Sequence, residues 1–168
     1  MRIVSVELEN IKSYERARVE FSEGVNAIVG RNGAGKSTLL EAVGFALFDS
    51  LDYSLKEFVR EGAKQGTVNV AFESSLDGRI YHTLRKIGGA GPKQQIDEPD
   101  FDAIIAEGGS DVERFLRAHR GMLPNADMAR VFRDAVGVPQ GTLTAAFLQT
   151  ASARKAVFDA LLQVDDFK

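Results

Sequence analysis

Apolar and polar residues alternate along the opening segment of the chain, and this period of two predicts a β-strand. The apolar positions of the segment are Val4, Val6 and Leu8. The stretch RARVEF, residues 16–21, predicts a second strand. The stretch GVNAIVG, residues 24–30, is a short apolar run that ends in glycine, which predicts a strand buried on both faces.

The period changes to that of a helix after this run. Between Lys36 and Phe48 large aliphatic residues recur at helical spacing, and most residues between them are small or aromatic. A helix that is apolar nearly all round belongs in the core, beneath a sheet. Its aliphatic positions are Leu39, Leu40, Val43 and Leu47, and Ala42, Phe45 and Ala46 extend the apolar surface.

Two further alternating segments, residues 67–74 and 79–87, flank the pair Asp77-Gly78. Because Asp-Gly favours a tight turn between antiparallel strands, these segments predict a β-hairpin. The stretch GGAGPKQQ that follows predicts a loop, since glycine and proline hold regular structure poorly. Helices are predicted from the capping box of Ser110 and Glu113, over residues 127–136, and from near Ser152.

The order of the predicted elements is strands, glycine-rich loop, helix, hairpin and then helices, which is typical of an α/β layer structure. A hairpin and a strand–loop–helix crossover coexist, so we expect a mixed sheet around the core helix. The 168 residues suit one domain. We expect residues 1–50 to form the first strands, loop and helix, residues 51–96 the hairpin, and residues 97–168 the helical part.

Composition excludes several classes of protein. The formal net charge is −3, so any contact with DNA must come from a local basic patch. The chain has no cysteine, which excludes disulfides and thiolate metal sites. Its two histidines, His82 and His119, are too isolated to predict a metal site or a catalytic base, and His82 is expected at the surface. The longest apolar stretch, residues 39–48, is too short to span a bilayer, so we expect a soluble cytoplasmic protein without a membrane partner.

The loop before the core helix reads GRNGAGKS, residues 30–37, and matches G-x-x-x-x-G-K-[ST] at every fixed position. Glycine permits backbone angles and a close approach that a β-carbon would block. Backbone N–H groups can then converge on phosphate oxygens, aided by the positive end of the following helix. Lys36 supplies a cation for the outer phosphates, and the Ser37 hydroxyl is a hard oxygen ligand suited to Mg²⁺. The sequence therefore predicts a nucleotide site.

Other motifs surround this loop. Residues 8–14 read LENIKSY, residues 32–37 read NGAGKS, Arg60 and Gly62 form an Arg-x-Gly step before the hairpin, and Gln140 precedes a glycine. With these motifs nearly the whole chain resembles the N-terminal lobe of the SMC-like ATPases that manage DNA. Within that group it is similar to the double-strand-break repair branch, called SbcC in bacteria. The resemblance implies a P-loop NTPase half-domain, that is, an ABC/SMC-type head lobe that binds ATP and Mg²⁺.

The resemblance also implies roles for individual residues. Gln140 would complete the Mg²⁺ shell together with Ser37, and would sense the γ-phosphate and the attacking water. Lys12 and Ser13, just after the first strand, would lie beside the nucleotide. The phosphates would be held by Asn32, Gly33, Ala34, Gly35, Lys36, Ser37 and Thr38.

Hydrolysis of ATP requires an acidic Walker B run as well. The sequence contains no such run. Its nearest match, Asp165-Asp166, follows a helical pattern and is therefore rejected. The resemblance places this element in a C-terminal lobe beyond a long coiled coil, so we expect half of an ATPase head that is inactive alone. The implied partners are that lobe, a second head in an ATP-sandwich dimer, an SbcD-type nuclease and double-stranded DNA. The implied location is the nucleoid of a prokaryote.

Basic residues around the hairpin and its loop could contact DNA phosphates without reading sequence. They are Arg79, Arg85, Lys86 and Lys93. A solvated surface neutralised by nearby carboxylates is an equal alternative. A row of arginines three residues apart could serve in the same way. The row consists of Arg114, Arg117 and Arg120, and the neutralising carboxylates are Asp97, Glu98 and Asp100.

Other functions stay open at this point. A chromosome-organising SMC head shares the loop and differs in its coiled-coil hinge. A nucleotide-gated interaction module would keep the loop without catalysis, and the presence or loss of an Asp-Glu Walker B in the C-terminal lobe separates it from an ATPase. A small-molecule kinase would need an arginine-rich lid, and the sequence has no clear one.

Overall fold

The computed structural model of the chain describes residues 1–91, 93–120, 127–137, 150–152 and 154–155. Within these residues, strands and helices follow one another in an α/β arrangement. The strands are β1 (Arg2–Ile11), β2 (Tyr14–Glu20), β3 (Gly66–Glu73), β4 (Ile80–Ile87), β5 (Gln94–Glu98) and β6 (Ala103–Glu107). The helices are α1 (Lys36–Phe48), α2 (Leu55–Phe58), α3 (Gly109–Arg120) and α4 (Met128–Val131), and α4 continues into a π-helical turn at Phe132–Val136.

The strands form one six-stranded sheet in the order β2-β1-β3-β4-β5-β6. Every pairing within it is antiparallel. The α/β fold class is confirmed, whereas the sheet of the described residues is antiparallel and the sequence predicts a mixed one. The predicted hairpin is confirmed as β3 and β4. Its turn is closed by two backbone hydrogen bonds, from Gly78 N to the Ser74 carbonyl at 2.9 Å and from Ser74 N to the Arg79 carbonyl at 2.8 Å.

The core lies between one face of the sheet and α1. Antiparallel register sets Val6 opposite Val70, and Val70 opposite Thr83, so all three side chains share this face. Helix α1 has the predicted bounds and packs against β1, β3 and β4. The fully buried side chains include Val6, Leu8, Ile11, Phe58, Val68, Val70, Phe72 and Ile96.

Residues 25–30 depart from the prediction of a buried strand. They form no regular secondary structure, and Val25 is 99% exposed and Val29 88% exposed. No strand among the described residues pairs with them, so the backbone gains no ladder hydrogen bonds there. An apolar pattern shows that a segment favours burial, but a strand forms only where neighbouring strands take up its N–H and C=O groups.

The predicted helical part begins later than residue 97. Strands β5 and β6 occupy its first residues, and Ile96 lies opposite Ala106 with both side chains buried. Helix α3 confirms the helix predicted at Ser110, and α4 with its π-helical turn confirms the one over residues 127–136. Among the helices of the described residues, none has the length and hydrophobicity that a bilayer span requires.

A buried histidine joins α3 to the β3–β4 hairpin. His119 is 8% exposed, and its Nδ1 lies 2.8 Å from the Ser74 hydroxyl. Its ring stacks on Phe115 at a centroid distance of 3.9 Å and meets Tyr81 edge-on at 5.0 Å. Burial lowers the pKa of His119 below its ordinary value, although the nearby charge of Asp77 opposes this shift. The ring is therefore neutral at pH 7 and serves as a packing and hydrogen-bonding group.

The burial of His119 should make the free energy of unfolding depend on pH. Because the folded state resists protonation of His119 and the unfolded chain does not, the free energy of unfolding should fall as pH drops below about 6.5. The loss should continue down to the lowered pKa of the folded state. Chemical unfolding at pH 7.5 and 5.5 measures it. His119→Gln should flatten the slope over this interval, while the control His82→Gln should retain it; an unchanged slope in His119→Gln would contradict the assignment.

Candidate nucleotide-binding site

The glycine-rich loop connects residues 25–30 to the first turn of α1. Its fold is local: Ala34 N donates to the Arg31 carbonyl at 3.2 Å, and Thr38 N donates to the Gly35 carbonyl at 3.0 Å. Gly33 has a φ of +80° and Gly35 a φ of +86°, a left-handed backbone that favours glycine. The motif spacing therefore sets a turn that presents successive backbone N–H groups at the start of a helix.

The β1–β2 turn packs directly against this loop. A β-carbon on Gly35 would lie 2.7 Å from the Ser13 hydroxyl and 2.7 Å from a Tyr14 ring carbon. The Tyr14 hydroxyl donates to the carbonyls of Ala34 and Gly35 at 3.4 and 3.3 Å. Gly35 is thus required for the close approach of the two turns as well as for its backbone angle.

Lys36 lies over the loop that precedes it. Its Nζ donates to the Gly30 carbonyl at 2.9 Å and to the Arg31 carbonyl at 2.8 Å. The first turn of α1 carries no acidic residue, so no carboxylate within that turn neutralises the positive end of the helix dipole. An ammonium held by two neutral carbonyls can exchange them for phosphate oxygens, which bind it more strongly because they are charged.

The opposite wall of the cleft comes from the β1–β2 turn and from residues 54–63. These two segments are joined by backbone hydrogen bonds from Lys12 N to the Phe58 carbonyl at 3.0 Å and from Arg60 N to the Asn10 carbonyl at 2.9 Å. Together with the loop they enclose a cleft of about 1240 Å³. It is lined by Lys12, Ser13, Asn32, Gly33, Gly35, Lys36, Ser37, Thr38, Ser54, Lys56, Glu57, Val59, Arg60, Glu61, Gly62 and Ala63.

The donor set of this cleft fits a magnesium-bound triphosphate. Four of its lining side chains are cationic, namely those of Lys12, Lys36, Lys56 and Arg60, against the carboxylates of Glu57 and Glu61. The described residues contain no group of three side chains that could hold a metal ion alone. The exposed Ser37 hydroxyl can supply one oxygen ligand, and the phosphates that Mg²⁺ usually accompanies can supply others.

The structure brings most of the predicted site residues together. Lys12 and Ser13 line the same cleft as the glycine-rich loop, as the resemblance implies, although they are separated from it in sequence. Gln140, the predicted Mg²⁺ and γ-phosphate ligand, lies outside the described residues. Sequence reasoning missed Tyr14, whose aromatic place in LENIKSY was the available signal, and Tyr53, for which no motif gave a signal.

The structure corrects the placement of Arg85 at a DNA-facing surface. Its side chain is only 7% exposed, pairs with Asp49 and lies 4.6 Å from the Phe45 ring centroid. It points to the face of the sheet that α1 covers, because Val68 lies opposite it in the register. A buried arginine that already has a carboxylate partner cannot reach a DNA phosphate without breaking that pair.

Most of the other basic residues are engaged in contacts within the chain. Lys93 Nζ donates to the carbonyls of Gly88 and Gly89, and Lys86 is half-buried on the sheet face away from α1. Within α3, Arg114 pairs with Asp111 and Arg117 with Glu113, while Arg120 lies over the Phe48 ring. Burial lowers the pKa of Arg120 to about 10. The carboxylate pairs of Arg114 and Arg117 favour the alternative of a neutralised surface on α3.

Comparison with known proteins identifies the class. Residues 5–126 match the AAA domain family, which is more than half of the chain. The chain therefore belongs to that family.

Curated relatives show which ATPases within this family the chain resembles. A protein of Methanopyrus kandleri described as "DNA double-strand break repair Rad50 ATPase" is 34% identical over 171 residues, which cover 99% of this chain and 19% of the relative. A protein of Halobacterium salinarum with the same description is 36% identical over 170 residues, which cover 98% of this chain and 18% of that relative. The resemblance to the SMC-like double-strand-break repair ATPases is confirmed. The chain spans about a fifth of the length of these relatives.

Solved structures share the fold. The SMC head domain from Thermotoga maritima superposes with a TM-score of 0.50 at 18% identity, covering 79% of this chain and 50% of that one. The recombination mediator protein RecF with ATP superposes with a TM-score of 0.54 at 22% identity, covering 66% of this chain and 28% of that one. At these identities the likeness shows a shared fold and nothing about substrates.

Proposed function

We propose that this chain is the N-terminal half of an ATPase head and that it binds ATP between the glycine-rich loop and the β1–β2 turn. The observation that carries the proposal is the shared cleft. A phosphate-type loop, its lysine and the predicted Lys12 and Ser13 face the same space, although they come from separate elements. Such convergence of backbone donors and cations is what a triphosphate requires.

Each residue then has a defined task. The backbone N–H groups of residues 30–38 bind the phosphate oxygens, and Lys36 leaves its carbonyl partners to neutralise the outer phosphates. The Ser37 hydroxyl, with Gln140, would hold Mg²⁺, which neutralises charge that develops in phosphoryl transfer. Gln140 would also orient the attacking water. The acid that completes hydrolysis would come from the C-terminal lobe, so the N-terminal half alone should not turn ATP over.

Residues 25–30 support the pairing of this chain with a second lobe. Val25 and Val29 are exposed to solvent in a segment whose composition favours a buried strand. A strand of the C-terminal lobe beside this segment would take up its backbone groups and cover its valines. The relatives are about five times as long as this chain, which leaves room for such a lobe.

The wider role follows the relatives. They are described as DNA double-strand break repair ATPases, and we propose the same process here, in the cytoplasm and in association with the nucleoid. ATP would join two heads, because a γ-phosphate held between them favours the engaged state. The engaged heads would clamp double-stranded DNA and control an SbcD-type nuclease. Lys86 and Lys93 stay candidates for the DNA contact, and Arg85 does not.

Co-expression with candidate C-terminal lobes tests this function. The assembled head should run as a monomer on a sizing column, shift to a dimer with ATP and Mg²⁺, and hydrolyse ATP, while ADP leaves it monomeric.

Val29→Asp should abolish co-purification of the lobe without lowering the stability of the chain, because Val29 is exposed. Leu76→Asp, at an exposed position of the hairpin turn, is the matched control. A head that binds ATP but never dimerises or hydrolyses it would instead support an interaction module.

A further inference from the structure

An aromatic ring holds one of the cations of the cleft. The Nζ of Lys12 lies 3.8 Å from the centroid of the Tyr53 ring, well within the range of a cation–π contact. The nearby carboxylate of Glu57 is used otherwise, since it accepts from the Ser54 N–H at 3.0 Å and from the Ser54 hydroxyl at 2.8 Å. Hydrogen bonds from Ser54 lower the pKa of Glu57, with a smaller contribution from the charge of Lys12.

The ring of Tyr53 is itself fixed from two sides. Its hydroxyl donates to the carboxylate of Glu41, and its ring meets that of Phe58 in a T-shaped contact at a centroid distance of 6.0 Å and an angle of 64°. Phe58 is fully buried and in turn packs edge-on against Phe45 of α1. Burial, and next the bond to Glu41, raises the pKa of Tyr53, so its hydroxyl stays protonated at neutral pH.

Through this ring the two walls of the cleft are connected. Glu41 lies on α1, the helix that begins with Lys36, whereas Lys12 belongs to the β1–β2 turn. The backbone of Lys12 is held as well, because its φ is +48° and its N–H donates to the Phe58 carbonyl. Both the backbone and the ammonium of Lys12 therefore depend on residues 53–58.

We propose that Tyr53 is a positioning residue for nucleotide binding: its ring holds the Lys12 ammonium at the rim of the cleft, oriented for a phosphate. This inference rests on the proposed function, in which the ligand is ATP. A free lysine side chain loses much conformational freedom when it binds a phosphate. A ring that has already restricted the side chain removes part of that loss, so the contact should increase affinity for ATP through Lys12.

A double-mutant cycle in the complete head tests the inference, with ATP affinity measured by calorimetry. Tyr53→Leu should weaken ATP binding about twofold to fivefold, the range of an exposed cation–π contact. In a Lys12→Ala background the same change should have no further effect, because Tyr53 acts through Lys12. Tyr53→Phe keeps the ring and should bind ATP within about twofold of the unchanged head. Thermal melting of each variant checks that the head is folded.

The outcomes separate the inference from the function beneath it. An equal loss of affinity in both backgrounds would make the role of Tyr53 structural and overturn the inference. So would a Tyr53→Phe head as weak as Tyr53→Leu, because the ring would then not matter. If ATP binding depends on Lys36 while Tyr53→Leu changes nothing, the inference alone fails. If ATP binding does not depend on Lys36 either, the proposed function itself is contradicted.

Discussion

Replacement of Lys36 by alanine is expected to weaken ATP binding by the complete head about 100-fold or more. The ammonium donates to two carbonyls of the loop, at Gly30 and Arg31, and would exchange both for phosphate oxygens. Each hydrogen bond to a charged group contributes about 1.5–3 kcal/mol, so two of them account for a loss of this size. Calorimetric titration of ATP with Mg²⁺ into the assembled head measures the effect.

Lys64→Ala is the matched control for this change. It removes the same charge from an exposed lysine that does not line the cleft. The control should bind ATP as the unchanged head does, and both variants should melt at similar temperatures because Lys36 makes no core contact. Equal affinities of the Lys36→Ala and Lys64→Ala heads would show that the loop lysine does not bind phosphate.

Gly35→Ala should damage both the fold of the loop and the binding of ATP. A β-carbon there would lie 2.7 Å from the Ser13 hydroxyl and from a Tyr14 ring carbon, in addition to the strain at a φ of +86°. Strain and steric overlap together should cost about 2–4 kcal/mol of unfolding free energy. ATP affinity should fall at least about tenfold, because the displaced loop no longer directs its N–H groups at one point.

Gly24→Ala separates the two causes. Gly24 has a φ of +83°, but a β-carbon there meets nothing within 4 Å, and the residue lies outside the cleft. The control should lose about 1 kcal/mol from backbone strain alone and keep its affinity for ATP. If denaturant unfolding gives the same loss for both glycines, the contact between the β1–β2 turn and the loop does not constrain Gly35.

Local patterns predicted what local physics determines. The bounds of α1 follow from the helical period between Lys36 and Phe48, and the β3–β4 turn follows from Asp77-Gly78. The glycine-rich loop is an equally local signal, because its fixed positions each meet a backbone or charge requirement. The placement of these elements around one cleft was predictable only through the family resemblance.

Features that depend on distant partners could not be predicted in this way. Arg85 is basic in sequence, and only the fold shows that Asp49 and the Phe45 ring neutralise and cover it. Strand β5 reads QQIDE, whose polar residues conceal a strand that pairs on both sides. Residues 25–30 show the reverse case, since their apolar pattern predicts a strand whose neighbours are absent from the described residues. The contact of Lys12 with Tyr53 likewise joins residues far apart in sequence.

The central claim is that the backbone amides of residues 30–38 surround the phosphates of ATP. Hydrogen–deuterium exchange of the complete head, with and without ATP and Mg²⁺, tests it most directly. The account predicts that bound nucleotide slows exchange most strongly at the amides of this segment that are not already bonded within the loop, as Ala34 N and Thr38 N are, because the others become donors to phosphate oxygens. Unchanged exchange at residues 30–38, with protection by ATP appearing elsewhere in the head, would contradict it.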